Sequence, residues 1–316
     1  LLTNAMRLFA LALAAILLLS PAALAQSSTN STATPASAPE ASSPSDPAFA
    51  RALARWHPGT APLTITLDRA SCPAACPSYS ITLNVTGSGP ARITYSGRDH
   101  VLLTGTHTAS IPSADAAKLV EQFRAANFAS LAGNYTDSGD SAPARTVTLK
   151  IGAASKRVVD RANAPAALSQ LEQSIATVTG LENWTTGNWS PSGTIAALQH
   201  EAWDFRAATS ANAALLIAAA NSGATDAVNT LLQLGVPPNQ RDAAGHLPLF
   251  AAIEGNHADT VRALVAGHAD TSLKSSDGES ATDLATELGY DSIVQILAPS
   301  EPPQAPSGPT RPPHPE

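Results

Sequence analysis

The chain has two cysteines, Cys72 and Cys76, set in the run Arg69-Ala70-Ser71-Cys72-Pro73-Ala74-Ala75-Cys76-Pro77-Ser78-Tyr79. Three chemistries are open to such a pair. A disulfide needs Cα atoms within about 7 Å, which a turn allows, and so short a ring would fix the turn more than it restrains the unfolded chain. A redox or nucleophilic thiol calls for C-x-x-C spacing or a nearby His to activate the thiolate, and the run offers neither. A zinc site calls for further Cys or His ligands at matching intervals, and none follow. The disulfide is therefore the first reading. Arg69 and Tyr79 are the possible ligand contacts: Arg69 could hold an anion, or it could brace the turn through a carboxylate or backbone carbonyls. Tyr79 and Tyr95 read as rim or core residues of a sheet.

Asp137, Asp140, Lys150 and Lys156 are further polar candidates, but they complete no recognised triad or ligand set. The stretch Asn134 to Asp140 is rich in oxygen ligands without the spacing of a calcium loop. No glycine-rich phosphate loop follows a strand, and no H-E-x-x-H occurs. The expectation is no catalytic residue, no metal and no cofactor, with activity or small-ligand binding in residues 49–186, or a purely structural envelope role, kept as alternatives.

These residues must be carried by strands. Leu63–Asp68 and Tyr79–Val85 alternate with period two, which predicts half-buried strands. Ala91–Tyr95 predicts a third strand and Val101–Thr104 a fourth, and the short connections favour antiparallel hairpins. A helix opening at Pro112–Asp115, capped by Ser113 or Asp115, would bury Leu119, Val120, Phe123 and Phe128. Strands at 146–151 and 156–160 follow, then a helix over about 165–178. That order implies an α+β domain over 49–186, one antiparallel sheet with helices on one face.

The strand, the R-x-x-C-x-x-x-C-P-x-Y run and the alternating strand after it resemble an uncharacterised bacterial domain family of exported or envelope-associated proteins. The likeness runs over roughly 60–185, through Tyr95-Ser96-Gly97, Gly105, Ala126-Asn127-Phe128, Tyr135-Thr136-Asp137 and Lys156, Val158 and Val159. Members usually place Gly between the cysteines, where this chain has Ala74 and Ala75. The resemblance supplies a domain boundary and no activity.

Residues 194–298 repeat with a period of 33. Asn212, Gly245 and Gly278 fall on it, as do Ala219, Ala252 and Ala285. Each unit predicts two short helices and a Gly/Asp/Pro loop, so the segment resembles ankyrin repeats, an all-α solenoid. The usual Thr-Pro-Leu-His becomes Ala214–Ile217, Leu247–Phe250 and Ser280–Asp283, and loss of that His predicts looser loops. Residues 195–205 read as a degenerate half-repeat capping the stack, with Trp184, Trp189 and Trp203 near the junction. The family resemblance implies protein binding through loop tips, here Gln240, Arg241, Asp242, His246, Lys274, Asp277 and Glu279, together with Asn239 and Ser272.

Composition bounds the rest. Charged residues are 14% of the chain, against about 25% in an average soluble protein. A net charge of −7 argues against a general nucleic-acid binder, which needs a basic surface. Residues 1–25 read as a secretory signal peptide, with Arg7, the apolar run Leu8–Leu19 and the small-x-small site Ala23-Leu24-Ala25. Residues 26–48 read as a disordered Ser/Thr/Ala/Pro leader and 299–316 as a Pro-rich tail. The sequence thus predicts a periplasmic or secreted protein with no membrane-spanning segment after cleavage. Its expected partner is another envelope or extracellular protein.

Overall fold

In a computed structural model, residues 46–72, 75–136 and 142–298 are described. The predicted signal peptide, most of the leader, the tail, and Asp137 and Asp140 lie outside them. The described part opens on a helix that was not predicted, α1 (Pro47–Arg55). Asp46 caps it by accepting the Ala48 N–H, Pro47 occupies the first turn, and Phe49 and Leu53 are its buried face. Pro47 and Ala48, assigned to the leader from sequence, belong to this helix.

Four strands follow: β1 (Leu63–Arg69), β2 (Ser78–Val85), β3 (Ala91–Asp99) and β4 (Gly105–Ile111). The fourth differs from the expected 101–104. Leu102 and Leu103 donate their backbone N–H groups to Thr185 and Trp184 carbonyls, so this segment leaves the sheet and plugs its end. Gly97 makes the plug possible, because a Cβ there would lie 2.3 Å from the Leu103 carbonyl oxygen. Helix α2 (Ser113–Ala125) starts without a side-chain cap, and Ser113 Oγ instead donates to the Ser88 carbonyl. A 3-10 turn (Phe128–Ser130) leads to β5 (Asn134–Tyr135), β6 (Arg145–Ile151), β7 (Ala154–Asp160) and α3 (Ala166–Thr179).

The strand order is β4-β3-β2-β1-β6-β7-β5. Neighbours are antiparallel except β5, which lies parallel to β7, so the sheet is mixed rather than wholly antiparallel. Alternation puts Leu63, Ile65 and Leu67 of β1, with Ile81, Leu83, Val147 and Leu149 beside them, on one buried face. Phe49, Phe123, Phe128 and Leu171 close over that face.

Helix α4 (Glu182–Thr185) joins the sheet domain to α5 (Thr194–His200). Three helix pairs then stack: α6 (Ser210–Asn221) with α7 (Thr225–Leu234), α8 (Pro248–Glu254) with α9 (Ala258–Ala266), and α10 (Ala281–Glu287) with α11 (Asp291–Leu297). Helices α6, α8 and α10 pack in one row and α7, α9 and α11 in the other. Ala219, Ala252 and Ala285 are fully buried at equivalent places, where small side chains let the inner row approach closely. Gly245 and Gly278 take positive φ at the hairpin tips, but Asn212 departs from the predicted pattern. It lies inside α6, fully buried, with its amide donating to the Asp204 and Ala207 carbonyls and accepting from Trp203 Nε1. The first pair therefore has one extra helical turn where the others have a hairpin.

Candidate functional site

The sheet places Tyr79, Arg69, Arg145 and Asp160 side by side across four strands, in one row on the helix-covered face. Each continues a column of apolar residues to its end, next to the cysteine loop. Cys72 and Cys76 are joined in a disulfide with Cα atoms 6.0 Å apart, so neither is a free thiol. Arg98 ties the base of that loop, donating from Nη2 to the Arg69 carbonyl (2.8 Å), the Tyr79 carbonyl (3.0 Å) and the Asp68 carboxylate (3.3 Å). Arg98 thus braces the turn, and Arg69 Nε is buried and has no hydrogen-bond partner among the described residues.

Glu172 of α3 completes the row from above. Arg145 Nη2 donates to the buried Asp160 (2.9 Å), and its Nε lies 3.2 Å from Glu172 Oε2. The second contact is close enough for charge attraction but is not aligned as a hydrogen bond, so both Glu172 oxygens stay without one. Burial raises the Glu172 carboxyl to about 7; Arg145 pulls it down, Asp160 adds to the rise, and Arg69 pulls down again. Burial also raises the Tyr79 phenol, with Arg69 beside it pulling the other way. Glu172 is therefore the group of the row that exchanges a proton near neutral pH, beside a half-exposed Arg145.

Sequence reasoning reached Arg69 and Tyr79 and missed Arg98, Arg145, Asp160 and Glu172. A signal for the last existed: Glu172 stands four residues after Leu168 and three before Ile175, in the buried stripe of its helix. Lys156, nominated from sequence, donates to the Ala129 and Leu131 carbonyls (both 2.7 Å), and burial lowers its pKa. Lys150 is exposed. Among the described residues no group of His, Cys, Asp and Glu could hold a metal.

The repeat hairpins hold the remaining predicted residues. Asp242 Oδ1 accepts from the Ala244 and His246 backbone N–H groups (2.9 and 2.8 Å), and Oδ2 lies 3.0 Å from His246 Nδ1. Burial acts to raise Asp242, but these bonds from His246 and Ala244 prevail and hold it below the usual carboxylate range. Arg241 donates to the Gly245 carbonyl (2.5 Å) within its own hairpin and to the Lys274 carbonyl (2.6 Å) one repeat later. Asn239 bridges likewise, donating to the His268 carbonyl and accepting the Asp270 N–H. Ser272 donates to Asp270 and lowers its pKa.

In the next hairpin Ser275 N–H donates to the Glu279 carbonyl, and Lys274 pairs with Ser280 as an isolated bridge. Gln240 Nε2 lies 3.3 Å from the Arg241 carbonyl. The seven predicted loop residues thus share one ladder of hairpins. Arg241 and Asp242 are its internal fasteners, whereas His246, Lys274 and Asp277 are exposed.

Residues 215–305 match the family model described as ankyrin repeats (3 copies). The C-terminal region is an ankyrin-repeat region. Over 82 residues the chain is also 34% identical to the ankyrin repeat-containing protein P1E11.10 of Schizosaccharomyces pombe. That stretch is 25% of this chain and 40% of the yeast protein, so the chain covers well under two thirds of its relative. Residues 63–179 match a domain of unknown function (DUF6438), which encloses the sheet, the disulfide and the polar row. The ankyrin region accounts for the hairpin ladder, and the sheet domain for the row.

Proposed function

We propose that the protein binds another protein through the hairpin tips of its ankyrin region. The observation that carries this reading is the ladder itself. Asp242, Arg241 and Asn239 hold successive tips in fixed geometry, so a partner meets loops whose ordering cost is already met. Residues 194–298 contain twelve Asp and Glu against four Lys and Arg, and Arg241 is spent on backbone carbonyls. A partner of complementary potential presents a basic surface. We place the encounter in the periplasm or outside the cell, with an envelope or extracellular protein. The signal-like residues 1–25 and the disulfide, a bond favoured in oxidising compartments, support this location.

The experiment is capture of a partner from envelope and supernatant extracts on the full chain, repeated with His246→Ala/Asp277→Lys. These side chains are exposed and the change gives up only the His246–Asp242 contact, with both backbone bonds to Asp242 kept, so the fold should survive. The expected result is one stoichiometric partner, retained at low salt, weakened by salt and lost with the double variant. Retention that is indifferent to both salt and the variant would overturn the reading. Small-ligand binding in the sheet domain is the second reading, favoured by the buried Arg69 Nε and Glu172 oxygens that lack hydrogen bonds.

A further inference from the structure

A cleft of about 520 Å³ lies between the outer edge of the sheet and helix α5, away from both the polar row and the hairpin tips. Arg92, Thr108 and Ser110 line its sheet side, and Ala197 and His200 its helix side. The register explains the cluster. Arg92 of β3 pairs with Ser110 of β4, and Thr94 pairs with Thr108, so Arg92, Thr108 and Ser110 project from the face opposite the helices. His200 ends α5 and is exposed. None of the Arg92, His200, Thr108 and Ser110 side chains has a partner among the described residues.

Glu201, next in sequence to His200, gives one oxygen to His107 Nδ1 and the other to the Thr108 backbone N–H, so its carboxylate is held at the sheet edge beside the cleft. That bond shows that the Thr108 N–H points out from the sheet edge. The antiparallel alternation turns the Ser110 N–H the same way. The cleft thus combines the Arg92 guanidinium, the His200 imidazole, two hydroxyls and an outward backbone donor. Its volume falls within the range of about 300–1,000 Å³ seen for small-molecule sites, which favour the seams between modules. The setting is unusual in a chain of net charge −7.

We propose that this cleft binds a small molecule bearing a compact oxyanion, a phosphate or a carboxylate. Arg92 meets the charge, and a His200 ring N–H and the Thr108 and Ser110 hydroxyls meet the remaining oxygens. The proposal goes beyond the protein-binding reading and stands without it.

The test is an amide NMR and thermal-shift titration of the full chain with inorganic phosphate and, separately, with succinate. Potassium chloride at matched ionic strength is the control. The expected result is saturable perturbation confined to Arg92, Thr108, Ser110 and His200. Arg92→Ala should weaken binding about tenfold or more and His200→Ala less, while Arg92→Lys, which keeps the charge but loses the planar fork, falls between. Saturation by phosphate alone identifies a phosphate ligand, and by succinate alone a carboxylate ligand. A response to neither anion beyond the chloride control, or one unchanged in Arg92→Ala, overturns the proposal.

Discussion

Glu172 sits in an environment that opposes its charged form. Its carboxyl ordinarily ionises near 4.5 and is held to about 7 by burial, with Arg145 opposing. The folded state therefore binds a proton that the unfolded state has released across that window. Below about pH 4.5 the group costs nothing; the penalty grows as pH rises and is complete above about pH 7, on the order of 3 kcal/mol. Glu172→Gln keeps the shape and removes the ionisation. Its melting temperature should match the parent near pH 4.5 and exceed it at pH 8, when followed by calorimetry across pH. A constant offset at all pH values would place the cost elsewhere. Arg69, Tyr79 and the disulfide were legible in the sequence because they share a short run. Arg98, Arg145 and Asp160 were not, because strand register alone brings residues so distant in the chain to one row.

At the scale of elements, alternation located most strands within a residue or two, since period two is imposed directly by a sheet with one buried face. Where backbone hydrogen bonds decided, it failed. Val101–Leu103 is apolar enough to read as a strand, yet Leu102 and Leu103 bond to the end of α4. Gly97→Ala tests that plug. The added methyl would lie 2.3 Å from the Leu103 carbonyl oxygen and 2.6 Å from Tyr95 Oη, so the segment must move. The expected loss is about 1–3 kcal/mol in denaturant unfolding, with faster amide exchange at Leu102 and Leu103. In the ankyrin region the period of 33 found all three helix pairs, because stacking forces equivalent positions to be small. It misplaced Asn212, whose buried amide is satisfied by Trp203, Asp204 and Ala207, just before its helix. Asp242→Ala tests the hairpin: losing three bonds from one carboxylate should cost about 1–2 kcal/mol and free the amides of Ala244 and His246.

Across the whole molecule, the sheet domain and the ankyrin region are joined by buried polar chemistry rather than by a linker. Glu201, just past α5, reaches His107, which is 4% exposed, and covers the Thr108 N–H of the sheet's edge strand. That edge would otherwise offer unpaired backbone to another chain. Aromatic rings extend the contact: Tyr95 stacks on Trp184 with centroids 5.4 Å apart, and His107 lies 5.8 Å from Trp203, which in turn donates to Asn212 of the first repeat. A disturbance at Glu201 should therefore be felt in both modules. Glu201→Ala leaves a buried imidazole nitrogen and a backbone donor unmatched, at a cost of about 1–3 kcal/mol. If the junction couples the modules, the parent unfolds in one calorimetric transition and the variant in two, the ankyrin region melting first because its open end has lost its cover. The double variant His107→Ala/Glu201→Ala should lose less than the sum of its parts, since the two side chains serve one contact. Two transitions already present in the parent, or strict additivity in the cycle, would show that the modules merely touch.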